Sequence, residues 1–332
     1  MKIVLTCNIR HDESESSIEW DTPETVQSIV QALKDLGYEA WALDCGQEDV
    51  EQQLQKNRPD FVFNIAEGLS GISREAEIPI LLEKLQIPYT GSAPDTLLYC
   101  LDKDKTKQIL KSQGIPVPWG IVTTIPWKKI EFAEGIPYPV MLKPLYEGSS
   151  KGISNNNLVK DNDTLFKKTQ ALSEKWKQPI LIEQFLPGRE FTVALIGNPP
   201  NLKVLPIVEI NFATLPKAAN PIYSFEAKWI WDTVENPLDI FTCPAKLSKT
   251  LKNEIENISK KTFEVLGCRD WTRMDLRCDA AGKVNVLEVN PLPGIIPDPA
   301  ANSCFPKAAR AIGWDYRDLI REVLKAAMTR YQ

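Results

Sequence analysis

Near its end the chain carries two carboxylates and an amide at a spacing suited to holding a metal-bound phosphate. In RMDLRCDAAGKVNVLEVNPLPG, from Arg273 to Gly294, two short strands flank the polar, glycine-containing turn Asp279-Ala280-Ala281-Gly282-Lys283. A hairpin centred between Ala281 and Gly282 puts Asp275 opposite Glu288 and Arg273 opposite Asn290. Side chains alternate along a strand, so all four leave the same face. Directly opposed carboxylates repel unless a cation sits between them. Mg²⁺ accepts such a pair, because it takes one or two carboxylates and completes its shell with phosphate oxygens. By itself the pair also fits an acidic face that is merely solvated.

Upstream stretches carry complementary chemistry. An apolar run over 138–142 ends at Lys143 and leads into Glu147-Gly148-Ser149-Ser150-Lys151-Gly152. Small residues between two glycines let backbone N–H groups approach an anion, and a strand-borne lysine adds positive charge. The lysine precedes the glycines, so this is not a Walker loop; a loop that is only flexible is the alternative. Glu183 stands inside the apolar run 179–186, where a buried acid needs a partner: a ligand amino group or an ordinary salt bridge. The loop 66–75, AEGLSGISRE, is rich in charge and glycine and follows a strand. His11, the one histidine, reads as a solvated loop residue.

These residues need a frame, and the pattern supplies one. A strand over 2–7 precedes a helix that starts at Pro23 and repeats Val26, Ile29, Val30, Leu33 and Leu36 at helical spacing. Strands over 38–43 and 60–65, a short helix over 50–56 and a helix over 76–85 follow, then a strand over 87–92. Such alternation implies a parallel sheet covered by helices, with ligands at the strands' carboxyl ends. Past residue 95 the pattern changes: a helix opening at Leu101, the breaker 114–118, a helix over 163–176, and strands over 191–196 and 204–210. Residues 211–244 show little periodicity and suit a lid. A helix over 249–266 precedes the hairpin, and one over 316–328 closes the chain.

With 332 residues the chain has room for two or three domains. A net charge of -5 argues against nucleic acid or an anionic membrane as partner. Seven cysteines, odd in number and without a CxxC pair, suit reduced thiols in a cytoplasm. The N-terminus turns polar after one short strand, unlike a signal peptide, and no apolar run approaches a membrane span.

LEKLQIPYTGS, LDKDKTK, KPLYEGSSKG, LIEQFLPGREFTVALIG and the hairpin with NPLPG occur in the order found in ATP-grasp enzymes. Over nearly its whole length the chain resembles the D-alanine–D-alanine ligases. The resemblance implies an α/β and α+β fold: a Rossmann-like pre-ATP-grasp domain over 1–96, then an ATP-grasp fold of two subdomains, a central one over 97–186 and a C-terminal one over 187–332. It implies ATP and two Mg²⁺ ions, with Mn²⁺ as a substitute, held by Asp275, Glu288 and Asn290. Lys103 and Lys143 would contact the phosphates, with Glu147, Gly148, Ser149 and Ser150 closing over them. Glu183 would bind the adenine amino group beside Gln184, Phe185 and Leu186, with Leu186 at the ring edge through its backbone. Glu190 would take the ribose, and Lys228 belongs to the same nucleotide set. Arg273 and the backbone of Gly294 would stabilise an oxyanion, with Ser149 beside them.

The chemistry so implied is carboxylate activation: an acyl phosphate forms and an amine attacks it. A kinase and a non-catalytic ATP-binding regulator are the alternatives. The partners are ATP and small amino acids, and a homodimer is the family's assembly. The departures fall in the amino-acid pocket. Ser149 matches the serine of the family's glutamate–serine–tyrosine triad, but Trp229 stands at the tyrosine and cannot accept a hydrogen bond. The glutamate is Glu15 or Glu19. Glu67 replaces the histidine of HGxxGEDG, which would suit a substrate amine. NPLPG replaces NTxPG, and IIPDPAANS replaces MTxxS, with Ser303 as the carboxylate contact.

Overall fold

The strand Lys2–Cys7 is the centre of a three-stranded parallel sheet, flanked by Glu39–Asp44 and Phe61–Asn64. In this computed structural model all residues are described except 13, 15, 16, 47, 48, 124–134 and 233–237. Both faces of the central strand are covered. Ile3 and Leu5 pack with Val26, Ile29 and Leu33 of the helix Pro23–Asp35, while Val4 packs with Val62 and Leu82 on the other side. Helix Pro23–Asp35 starts where the Thr22 side chain accepts the Thr25 N–H, with proline in the first turn, where no donor is lost.

Several sequence expectations change here. Residues 87–92 make a single parallel bridge, Val62 with Tyr89, rather than a strand. Pro88 offers only its carbonyl to Val62 N–H, and Gly91 N–H turns away to Asp270. The helix expected from Leu101 is Lys103–Ser112, and an unexpected helix, Pro94–Leu101, precedes it, separated by Asp102, whose side chain accepts the N–H groups of Asp104 and Lys105. The strand expected over 204–210 is broken at Pro206 into Lys203–Val204 and Val208–Ile210. A further short helix, Cys304–Arg310, carries too few turns to show a period. Segment 211–244 holds the turn Phe212–Thr214, the π-helical turn Ala227–Trp231 and the strand Phe241–Thr242.

Two antiparallel sheets make up the rest of the β-structure. One runs Phe241–Thr242, Val208–Ile210, Glu190–Ile196, Trp271–Cys278, Val284–Asn290, with Lys203–Val204 also on Glu190–Ile196. The other runs Gly120–Val122, Ile180–Gln184, Val140–Pro144, Leu158–Val159. In the hairpin Arg273 faces Asn290 and Asp275 faces Glu288, but below them Leu276 pairs with Val286. Leu287 is therefore an extra, bulged residue, and the turn is centred on Ala281, not between Ala281 and Gly282. Among the described residues no helix is long and apolar enough to cross a membrane.

The sheets are joined by aromatic and ionic contacts. Trp271, fully buried, meets Phe63 of the parallel sheet and Phe305 edge-on, each with ring centroids 5.8 Å apart. Next to it Asp270, also fully buried, accepts from Arg330 (2.8 Å), Asn198 (2.8 Å) and the Gly91 N–H (2.8 Å). That carboxylate holds the last helix, Tyr316–Arg330, against the parallel sheet. Arg330→Ala leaves a buried carboxylate without its cation, so urea unfolding should show a loss of about 3 kcal/mol.

Candidate active site

A cavity of about 270 Å³ opens between the Val140–Pro144 and Ile180–Gln184 strands on one side and the hairpin on the other. Alternation along the hairpin delivers Arg273, Asp275 and Arg277 to it from one strand and Glu288 from the other. Asp275 Oδ2 lies 3.2 Å from Arg273 and 3.4 Å from Asn290 Nδ2, and its Oδ1 accepts from Thr192 at 2.6 Å. Glu288 is met by Lys103 Nζ at 3.1 Å. Burial opposes the charge on Glu288, but Lys103 and Lys143 outweigh it and hold the carboxyl below its ordinary value. Among the described residues no cluster of three His, Cys, Asp or Glu side chains could hold a metal unaided. The donor set is two opposed carboxylates and an amide oxygen not committed to Asp275. It fits Mg²⁺ whose remaining ligands are phosphate or water.

The second half of the cavity is built around Glu183, which is 1% exposed. Its two oxygens pair with Lys143 (2.5 Å) and Lys107 (2.8 Å). Of the two partners open to it in the sequence, the structure supplies the salt bridge, and doubly. Burial works against the charge, yet the two ammonium groups overcome it and pull the carboxyl down to about 2. Lys107 also donates to the carbonyl of Leu287 at 2.8 Å, the residue the bulge leaves outside the regular ladder. Gln184, Phe185 and Leu186 line the same cavity. Glu190 sits opposite Arg277 in the sheet and pairs with it at 2.6 Å. The Arg277 guanidinium stacks against Phe185 and Phe212, at 4.6 and 4.9 Å from the ring centroids.

The loop Glu147–Gly152 closes the cavity. Ser149 and Ser150 both have left-handed backbones, φ +48° and +61°, a conformation that costs non-glycine residues energy and is kept by surrounding contacts. Contacts from several elements hold the loop. Lys103 Nζ donates to the Glu147 carbonyl, Ser150 Oγ donates to the Tyr223 carbonyl at 2.9 Å, and Gly148 N–H donates to Glu19 at 2.8 Å. A Cβ on Gly148 would lie 2.5 Å from the Glu19 carboxylate, so only glycine allows this approach.

Of the two glutamates open at the N-terminus, Glu19 lines the site; Glu15 lies outside the described residues. Glu19 also pairs with Lys151 (2.8 Å) and Arg74 (3.2 Å). Burial opposes its charge; those two cations outweigh it and hold the carboxyl below the usual value. Trp229 reaches the serine loop by another route than a phenol would, donating its indole N–H to the Ser149 carbonyl at 3.1 Å. Lys228 Nζ lies 3.4 Å from Ser149 Oγ, and burial, with Arg273 nearby, brings its ammonium down to about 8. Ser303 Oγ donates to the Gly294 carbonyl at 3.3 Å and accepts the Ile296 N–H at 3.2 Å, so it ties Gly294 in place. Glu67 lines a smaller cavity behind Gly294.

Among the cations at the site left unassigned by the sequence are Arg10, Arg74, Lys107, Lys151 and Arg277. Signals existed for three. Lys107 is one turn on from Lys103, Lys151 is four residues from Glu147, and Arg277 continues the alternation of Arg273 and Asp275. Arg74 is marked only as part of the charged loop 66–75, because its partner Glu19 is 55 residues away.

With this geometry in hand, comparison with known proteins is specific. The family model described as the C-terminus of D-ala D-ala ligase matches residues 109–325. An uncharacterized protein of Sinorhizobium fredii is 33% identical over 322 residues, covering 94% of this chain and 90% of its own length. A D-alanine–D-alanine ligase of Mannheimia succiniciproducens is 32% identical over 302 residues, covering 90% of each. The fold matches that of a Bacillus anthracis D-alanine–D-alanine ligase complexed with ATP, with a TM-score of 0.74, 24% identity, and coverage of 99% of this chain and 98% of that one.

Glu183 gives a pH test. Its folded pKa of about 2 lies below the unfolded value of about 4.3, so the stability it contributes is complete above that value and is lost as pH falls toward 2. Urea midpoints followed from about pH 5 to pH 2 should fall less steeply in Glu183→Gln than in the parent. At neutral pH the variant should be weaker by about 3 kcal/mol, because two lysines lose their shared anion.

Proposed function

Because the chain belongs to the D-alanine–D-alanine ligase family of ATP-grasp enzymes, we propose that it joins a small carboxylic acid, most simply an amino acid, to an amine through an acyl phosphate at the expense of ATP. The observation that carries this reading is the meeting of Lys143, Arg273, Asp275 and Glu288 around one cavity covered by the Glu147–Ser150 loop, with Lys103 paired to Glu288 from the adjoining smaller cavity. That set answers an anion with a metal counter-ion far better than it answers an apolar ligand. We assign the first domain to 1–96 and the two grasp subdomains to 97–186 and 187–332.

In this reading Lys103 and Lys143 bind the phosphates, and Glu183 turns from Lys143 toward the adenine amino group. Gln184, Phe185 and Leu186 frame the base, Glu190 takes the ribose, and Lys228 and the serine loop cover the transferring group. Asp275, Glu288 and Asn290 hold Mg²⁺, or Mn²⁺ in its place, which when bound neutralises phosphate charge. Little covalent work falls to the side chains; they position the reactants and meet developing charge with fixed donors. Arg273 and the Gly294 N–H stabilise the oxyanion formed when the amine attacks. Segment 211–244 excludes water from the acyl phosphate. Trp229 and Glu67 depart from the family's amino-acid pocket, so the reading names a small amino acid, with D-alanine as the family's default, rather than D-alanine alone.

ADP release screened over pooled D- and L-amino acids should require two of them together, and mass spectrometry should find an amide. Arg273→Ala should lower kcat by about 100-fold or more with the far-UV dichroism unchanged, and Glu288→Gln should abolish turnover. Full turnover in Glu288→Gln would overturn the metal assignment, and a phosphate ester as product would make the enzyme a kinase.

A further inference from the structure

Two neighbouring carboxylates behind Gly294 make no ion pair with a cation of the protein, although Arg74 lies near both and Lys103 near Glu75. Behind Gly294 a cavity of about 90 Å³ is bounded by Glu67, Glu75, Lys103, Ser149, Arg273 and Glu288. The other acids there are answered: Glu288 by Lys103, and Glu19 by Arg74 and Lys151. Glu147 is paired with Lys151 at 2.6 Å. Glu67 and Glu75 make no hydrogen bond or ion pair with any described residue. Glu75 is only 9% exposed.

The neighbouring cations are committed elsewhere. Arg74, adjacent to Glu75 in sequence, turns its guanidinium to Glu19 and to the Tyr146 carbonyl at 2.9 Å. Lys103 is taken by Glu288 and the Glu147 carbonyl. The loop is shaped to keep the two acids together. At Gly68, φ +74°, a Cβ would lie 2.3 Å from the Arg74 carbonyl oxygen, so the chain folds back between Glu67 and Glu75 only because that position is glycine. Burying two unpaired carboxylates side by side is costly, and it favours whatever brings a positive charge between them. In its absence burial pushes Glu75 up to about 7 and Glu67 well above the ordinary carboxylate range, with the Glu75 charge adding to the latter.

We propose, on the ligase reading above, that Glu67 and Glu75 together bind an ammonium group of an amino-acid substrate in the cavity behind Gly294. A primary ammonium carries three donors, enough to bridge both carboxylates. Glu19, saturated by two cations and a backbone N–H, is not available for that role. Two sources supply the group: the α-ammonium of the acyl donor, or the side-chain ammonium of a diamino acid.

Calorimetric binding of alanine, lysine and N-acetylalanine to the full-length protein separates them, using the parent, Glu75→Gln and the more peripheral Glu67→Gln. If the site holds an α-ammonium, alanine and lysine both bind about 10-fold or more weakly in the variants, and N-acetylalanine does not bind the parent. If it holds a side-chain ammonium, only lysine loses affinity. ATP affinity should be unchanged in both variants, which a general loosening of the fold would not leave intact. Equal affinity of parent and both variants for all three probes would overturn the proposal. The readout needs no turnover, so a failure to release ADP would count against the ligase reading alone.

Discussion

Glu19 takes two cations and a backbone N–H from two separate stretches: Arg74 beyond the parallel sheet, and the serine loop, which gives Lys151 at its end and the Gly148 N–H at its start. A carboxylate this deeply buried must be answered, and answering it fixes where the Glu147–Gly152 loop sits relative to the parallel sheet. The two left-handed serines depend on this anchor, because nothing in their own conformational preference would keep them there. The walls of the cavity come from sheets far apart in sequence, and charge matching of this kind holds them at a common site.

The same rule runs through the rest of the site with different outcomes. Asp275 and Glu288 are opposed in the hairpin and are calmed by Arg273 and Lys103, an arrangement suited to exchanging those contacts for a metal-bound phosphate. Glu183 is held by Lys107 and Lys143, so a nucleotide arriving here would meet lysines already aligned and a carboxylate ready to change partners. Glu190 keeps Arg277, and that guanidinium in turn lies against Phe185 and Phe212. Glu67 and Glu75 stand side by side without an ion-paired cation, lining the smaller cavity behind Gly294. Membership of the D-alanine–D-alanine ligase family thus covers a site in which most charges are matched within the protein, while in the proposed reading Glu67 and Trp229 mark the departure from the family's pattern.

The opposition of Asp275 and Glu288 was legible in the sequence because strand alternation and a glycine turn are local facts. The bulge at Leu287 was not, since it shows only when the strand is paired, and it matters: the freed carbonyl receives Lys107. The need of Glu183 for a partner followed from one acid in an apolar run. That the partner is a pair of lysines, one of them on a helix 76 residues away, followed from packing alone. Helix Pro94–Leu101 was hidden because it abuts another helix with only Asp102 between them. The broken strand at Pro206 was hidden because its apolar run continues through the proline.

By itself the sequence determined the parallel sheet and its helix, the acidic hairpin, the glycine-serine loop and their order along the chain. Each of these is written in periodicity or in residue types a few positions apart. Only the tertiary structure decided which groups meet: Glu19 beside Gly148, Trp229 on the Ser149 carbonyl, Arg74 turned from Glu75 to Glu19. Pairings of this kind span tens to hundreds of residues. They depend on desolvation, which no residue carries until the sheets close over it.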